Sequence, residues 1–275
     1  MDKILSMDKQ KKINPISSEE ILNEHYISSL AKGMQVLEAF GTERQRLSVG
    51  QVAAKTKISR TAVRRYLYTF KYLGYLSSDG THYWITHKVL RFSSAYLNSS
   101  FLPKLAQPYL NALNQMTDLS FSIVVLDGHE VVPVAHSVMR QNEQCIMPYG
   151  IHLGNRLPAH ATSTGKLLLS YLSSDELQQW IEQFGLKRLT PYSIIDEDVF
   201  KQRMIEISQQ DYCLSKEEHE LGVIAIAVPL LSSTGHAIAA LNCISTTNQI
   251  DAHDLYEHIL PKLRQTAQEI RYALN

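Results

Sequence analysis

The chain holds 275 residues, 44% of them hydrophobic, with 27 Lys and Arg against 27 Asp and Glu, so its formal net charge at pH 7 is zero. That length has room for two domains, and the apolar share suits a globular protein. No run of 18 apolar residues occurs, which excludes an apolar spanning helix, and Cys145, Cys213 and Cys243 form no CxxC pair, which argues against a disulfide framework or zinc ribbon and for a reducing, cytoplasmic setting.

The first 25 residues alternate Lys, Asp, Ser and Asn without a hydrophobic h-region, so a secretory signal is excluded and 1–27 reads as a disordered tail. Leu30, Met34, Leu37 and Phe40 predict the apolar stripe of a first helix stopped by Gly41. Ser48 is placed to cap a helix whose Val49, Val52 and Ala53 share a face, Lys57-Ile58 turns the chain, and Ser59 caps the next helix. On that helix Val63, Tyr66, Leu67 and Phe70 share one side. Arg60, Thr61, Arg64, Arg65 and Tyr68 share the other. Guanidinium groups clamp guanine edges or phosphates and hydroxyls reach either, so Ser59, Arg60, Thr61, Arg64, Arg65 and Tyr68 are the expected DNA-binding set. Asp79-Gly80 between two short apolar runs predicts a hairpin wing over 75–86. Residues 28–86 carry nine Lys/Arg against three Asp/Glu, a net of +6, and the rest of the neutral chain carries the opposite balance. That asymmetry fits a DNA-binding module joined to a domain of another kind.

Residues 87–102 read as a linker helix, and 103–275 as a second domain. Pro103 opens a helix bearing Leu105, Tyr109, Leu110, Leu113 and Met116. From Ser120 the period shortens to that of strands, with a hairpin at Asp127-Gly128 and a further strand candidate at Gln144–Tyr149. Helices are predicted over His160–Tyr171, Asp175–Phe184 and Glu197–Gln210, strands over Val223–Leu231 and His236–Ser245, and a last helix over 251–273, bent at Pro261. The fold class is α+β: an N-terminal winged helix-turn-helix, a linker helix and a C-terminal antiparallel sheet carrying helices.

Two motif-like stretches suggest other chemistry. Ala161-Thr162-Ser163-Thr164-Gly165 is similar to a nucleophile elbow, but a loop rather than a buried strand leads into it, which argues against a hydrolase. Glu217–Glu220 lacks HExxH spacing and reads as an acidic, solvent-facing loop, and His253 and His258 lie five apart on a helix. No metal, cofactor or catalytic residue is assigned, and the chain is not expected to be an enzyme.

Several blocks, in one order, resemble the IclR family of bacterial transcriptional regulators: SLAKGMQVLEAF, LSVGQVAAKTKISRTAVRRYLYTFKYLGYLSSDG, LGNRLPAHATSTGKLLLSYLS and KEEHELGVIAIAVPLLSSTGHAIAAL. The resemblance implies winged-helix dimers or tetramers with a GAF-like domain that binds a small metabolite. SRTAVRR, the AYL–LPKLAQPYLNAL join and VVLDGHEVVPVAHS further resemble the branch that regulates aromatic-acid catabolism. Operator DNA and a small aromatic carboxylate, protocatechuate or 4-hydroxybenzoate, are the partners so implied, with RNA polymerase a candidate third. Carried over from the family, the effector pocket takes in Ser163, Thr164, Ser215, Ala225, Asn242 and Ile244. Members that bind small oxo-acids resemble this chain except that a cysteine and two serines stand where it has Ala225, Asn242 and Ile244. That departure favours a benzene ring, which gains from apolar walls. Arg156, His160 and backbone amides at the start of helix 161–171 are expected to hold the ligand carboxylate.

Overall fold

The structure is a computed structural model that describes residues 26–41, 45–137 and 152–274. The tail up to residue 25, the strand candidate Gln144–Tyr149 and Cys145 lie outside the described residues. The chain divides into two compact units, Met1–Tyr96 and Leu97–Asn275.

The first unit contains α1 (Ser28–Glu38), β1 (Leu47–Ser48), α2 (Val49–Thr56), α3 (Arg60–Tyr72), β2 (Leu76–Ser78) and β3 (His82–Ile85). The strands form an antiparallel sheet in the order β1-β3-β2. Ser48 caps α2 in a reciprocal box with Gln51, Lys57 ends that helix at φ +56°, and the Ser59 hydroxyl accepts from the Ala62 amide to open α3. Val36, Leu47, Val52, Val63, Leu67 and Leu76 make the core. The first helix departs from its expected stripe: Leu30 and Met34 are exposed, whereas Gly33 and Val36 are buried. Gly33 faces α3, where a Cβ would stand 3.6 Å from the Tyr66 ring and 3.8 Å from that of Phe70, an ordinary packing distance. The buried edge of α1 runs through Gly33 and Val36, which leaves Leu30 and Met34 outward. The helix also ends at Glu38, capped by Ala39, before reaching Gly41.

A 3-10 turn, His87–Val89, leads into α4 (Leu90–Ser99), which buries none of its side chains and exposes Leu90, Phe92 and Tyr96. In the second unit α5 (Phe101–Thr117) starts two residues before Pro103, which a first turn accepts because its amides lack intrahelical partners. There follow β4 (Ser120–Asp127), β5 (Glu130–Ser137), β6 (Leu157–Pro158), α6 (Ser163–Leu169), α7 (Ser174–Phe184), α8 (Glu197–Gln210), β7 (Cys213–Lys216), β8 (Val223–Leu231), β9 (Ala237–Thr246), α9 (Ala252–Asp254) and α10 (Leu260–Leu274). The sheet runs β6-β5-β4-β9-β8-β7, antiparallel throughout. The last helix was expected to bend at Pro261, but the irregularity is a π-turn at Leu255–Ile259. A proline removes a helical donor and crowds the carbonyl four residues back, so the ladder widens in the turn before it.

Alternation along the strands sorts the residues by size. Phe121, Ile123, Ile224, Ile226, Val228, Leu230, Leu241 and Cys243 pack with α5 and α10. The opposite face, with α6 and the cluster of α7 and α8, carries Val124, Ala227 and Ala240. Large side chains on one face of a pleated sheet and small ones on the other leave space on the second face only.

Candidate ligand cavity and nucleic-acid interface

On the small-residue face the space becomes a cavity of about 640 Å³, its mouth included, lined by residues of β4, β5, β6, β7, β8 and β9, by residues 161–164 and by residues 217–220. Ser122 pairs with Asn242 across β4 and β9, Asn242 with Ala227 across β9 and β8, and Ala225 with both Ser215 and Ile244. Register thus builds the floor. Ser163 and Thr164 begin α6, and Gly165 behind them lets that helix approach: a Cβ there would fall 2.1 Å from the Ala159 carbonyl oxygen. The helix expected from His160 therefore starts at Ser163, because extended Thr162 caps it by accepting from the Gly165 amide at 3.1 Å, while 159–161 form a 3-10 turn.

Ser163, Thr164, Ser215, Ala225, Asn242 and Ile244 all line this cavity, whereas Arg156 and His160 do not. Arg156 sits at the β4–β5 hairpin, paired with Asp127 and, at 2.9 Å, with Glu130. Hydrogen bonds and charge from those two carboxylates raise its pKa against the opposing pull of burial, so its charge is already committed. His160 is buried, and its Nε2 meets the Lys187 carbonyl at 2.9 Å and amide at 3.2 Å. Burial lowers its pKa, which makes it a neutral strut between the 159–161 turn and residue 187 rather than a cation for a carboxylate.

The acidic stretch is a wall of the cavity, not the solvent-facing loop its charge suggested. Glu218 is buried, ion-paired with the fully buried Lys166, and accepts from the Ser215 hydroxyl at 3.0 Å. The loop is latched from outside: Thr190 Oγ1 donates to the Glu217 carbonyl at 2.6 Å and Ser193 Oγ to the Glu218 carbonyl at 2.7 Å. Four buried polar atoms on lining residues have no hydrogen-bond partner among the described residues: Ser122 Oγ, Glu218 Oε2, His219 Nδ1 and Asn242 Oδ1. Burial lowers the His219 pKa and favours the neutral ring. Unsatisfied buried polar atoms converging on one hollow mark a binding site. Of these residues the sequence reading missed Ser122, Glu218 and His219. A lysine within the apolar run STGKLLL was the available hint that a buried carboxylate lay elsewhere.

In the first unit Ser59, Arg60, Thr61, Arg64, Arg65 and Tyr68 are all exposed on α3, opposite the buried Val63 and Leu67. Among the described residues no carboxylate pairs with Arg60, Arg64 or Arg65. The Arg60 guanidinium lies about 3.9 Å from where a Gly50 side chain would begin, so the glycine leaves room for it at the start of α2. The wing turns at Gly80, φ +99°, while Asp79 Oδ1 accepts from the Thr81 and His82 amides, which lowers its pKa. Arg46 stacks 4.4 Å above the Trp84 ring.

A winged helix-turn-helix implying DNA binding, on the same chain as a domain with a polar-studded cavity, defines a ligand-responsive regulator rather than an enzyme. The profile of the IclR helix-turn-helix domain matches residues 29–80, and that of the bacterial transcriptional regulator IclR C-terminal domain matches residues 94–272. The chain belongs to the IclR family of transcriptional regulators. It is 60% identical over 259 residues to the p-hydroxybenzoate hydroxylase transcriptional activator of Acinetobacter baylyi, covering 94% of this chain and 96% of that one. It is 46% identical over 268 residues to the Pca operon regulatory protein of the same organism, covering 97% and 96%. Among solved structures, the inducer-binding domain of a PobR double mutant from Acinetobacter, in complex with 3-hydroxybenzoic acid, matches with a TM-score of 0.60 and 59% identity over 62% of this chain and 98% of that one. Among the described residues no helix is long and apolar enough to cross a membrane.

Proposed function

We propose that this regulator controls aromatic-acid catabolic genes and that its effector is a hydroxybenzoate, with 4-hydroxybenzoate and protocatechuate first, bound one per subunit in the cavity beneath α6. The observation that carries this reading is the floor itself, where small and apolar side chains flank a few isolated polar atoms, as a ring with polar substituents requires. The likeness to a regulator named for p-hydroxybenzoate hydroxylase, and to a domain solved with 3-hydroxybenzoic acid, supports it. With Arg156 and His160 engaged elsewhere, the carboxylate is assigned to Ser163 and Thr164. A calorimetric screen of benzoates against short oxo-acids tests the reading: binding confined to oxo-acids would overturn it.

On DNA, residues 59–68 occupy the major groove, and two copies read paired half-sites. Self-association through 28–98 is supported by Leu30, Met34, Leu90, Phe92 and Tyr96, apolar side chains exposed in one unit. Light scattering that returned a monomer at micromolar concentration would count against it. Ligand must favour one arrangement of the paired DNA-binding domains through differential affinity, since equal affinity shifts nothing. The activator named above favours activation, with RNA polymerase as the partner recruited.

A further inference from the structure

The floor of the cavity holds a cross-strand pair of polar side chains whose oxygens have no hydrogen-bond partner among the described residues. Ser122 on β4 and Asn242 on β9 are directly opposed in register, so their side chains begin about 5 Å apart on the same face. Ser122 is 2% and Asn242 8% exposed, and Ser122 Oγ and Asn242 Oδ1 are both buried without a partner. On its other side Ser122 is opposed by His136 of β5, whose Nδ1 is likewise buried without a partner among the described residues, and the apolar residues that line the cavity with the pair include Val124, Val131, Pro133, Ala225 and Ile244. Ser215, the other hydroxyl on the strands here, is occupied by Glu218. A hydroxyl both donates and accepts, while an amide oxygen only accepts. Together they match a group that carries one proton and one oxygen lone pair.

We infer that Ser122 and Asn242 are the specificity pair for a ring hydroxyl: Asn242 Oδ1 accepts its proton and Ser122 Oγ donates to its oxygen. The inference rests on the aromatic-acid reading and adds which atoms distinguish a hydroxylated ring from a bare one. The carboxylate is already assigned to Ser163 and Thr164 at the start of α6, which leaves the floor pair for the other substituent of the ring. Nor is the carboxylate drawn to Glu217, Glu218 and Glu220, which also line the cavity, where among the described residues no lysine or arginine does. The hydroxyl therefore sits away from the carboxylate on the ring, meta or para to it. An ortho hydroxyl would carry the carboxylate onto the floor.

The test is calorimetry on the full chain with 4-hydroxybenzoate, 2-hydroxybenzoate and benzoate. Wild type should bind 4-hydroxybenzoate about 10- to 100-fold more tightly than benzoate, the range set by one or two buried hydrogen bonds and the cost of leaving their partners unmet. 2-Hydroxybenzoate should bind no better than benzoate. In Ser122→Ala/Asn242→Ala the preference should fall to within about threefold, partly because benzoate no longer strands these two polar groups and binds more tightly, and a wild-type urea midpoint serves as the control for an intact fold. A wild type that does not separate 4-hydroxybenzoate from benzoate would overturn the inference without any variant. So would a preference that survives in the double variant, and both results leave the aromatic reading standing. Failure of all three acids to bind wild type would instead overturn the aromatic reading, and the inference with it.

Discussion

Replacing Lys166 by methionine isolates the energetics of the ion pair behind the cavity wall. Lys166 is fully buried on α6 and the Glu218 side chain is 11% exposed, so neither end is relieved by bulk water. Without the ammonium group, Glu218 keeps only the Ser215 hydroxyl on Oε1 and has nothing on Oε2. Removing one partner of a buried pair costs about 3–5 kcal/mol, because the other charge remains stranded. Glu217 and Glu220 on the same loop add repulsion, which places the expectation at about 4 kcal/mol. With a urea slope near 2 kcal/mol/M, the unfolding midpoint of the second unit should fall by about 2 M. Each unit contains one tryptophan, Trp84 in β3 and Trp180 in α7, so a Trp84→Phe background lets Trp180 fluorescence report the second unit alone. Adding Glu218→Leu should recover the loss to within about 1 kcal/mol, since paired apolar replacement of a buried ion pair is often neutral. A single variant within 1 kcal/mol of wild type, or a double variant as unstable as the single, would refute the reasoning.

Gly165→Ala should destabilise the second unit by about 2–4 kcal/mol, because its Cβ would fall on the Ala159 carbonyl and force the 159–161 turn off α6; the same fluorescence titration measures it. Arg64→Ala or Arg65→Ala should each cost about 1–3 kcal/mol of operator affinity if the side chain reads a base, and fluorescence anisotropy that showed undiminished binding with both removed would reject α3 as the recognition helix. His136, His160 and His219 all have pKa values lowered by burial, so below about pH 6.5 the unfolded chain binds more protons than the native one. Stability should hold above that pH and decline as pH falls below it, and His160→Gln should make the decline shallower in urea midpoints taken on either side of it.

Features written in local chemistry were legible. Ser48 and Ser59 accept amide hydrogen bonds at the helix starts where their hydroxyls suggested caps, and Asp79-Gly80 and Asp127-Gly128 turn their hairpins. Contacts made across the fold were not. Ser122 and Asn242 meet only because β4 and β9 are neighbours, some 120 positions apart in sequence. The Glu217–Glu220 run looked solvated because nothing nearby in sequence showed that Lys166, on another element, would bury Glu218. Arg156 and His160 were assigned by residue type beside a motif, and nearer partners claimed both: the hairpin carboxylates and the Lys187 backbone. The stripe on α1 was misplaced because an apolar pattern does not reveal that a neighbouring helix will settle on a glycine.

The alternation on β4, β8 and β9 divides labour between adjacent residues of the same strands. Positions 122, 225, 242 and 244 address the cavity, while 121, 123, 224, 226, 241 and 243, their immediate neighbours, anchor α5 and α10. A change of ligand can therefore be written at a few small side chains without spending the packing that keeps the domain folded. Chemical sensing and structural integrity mutate along separate channels, which gives this sheet the freedom to change the molecule it answers to while remaining the same scaffold.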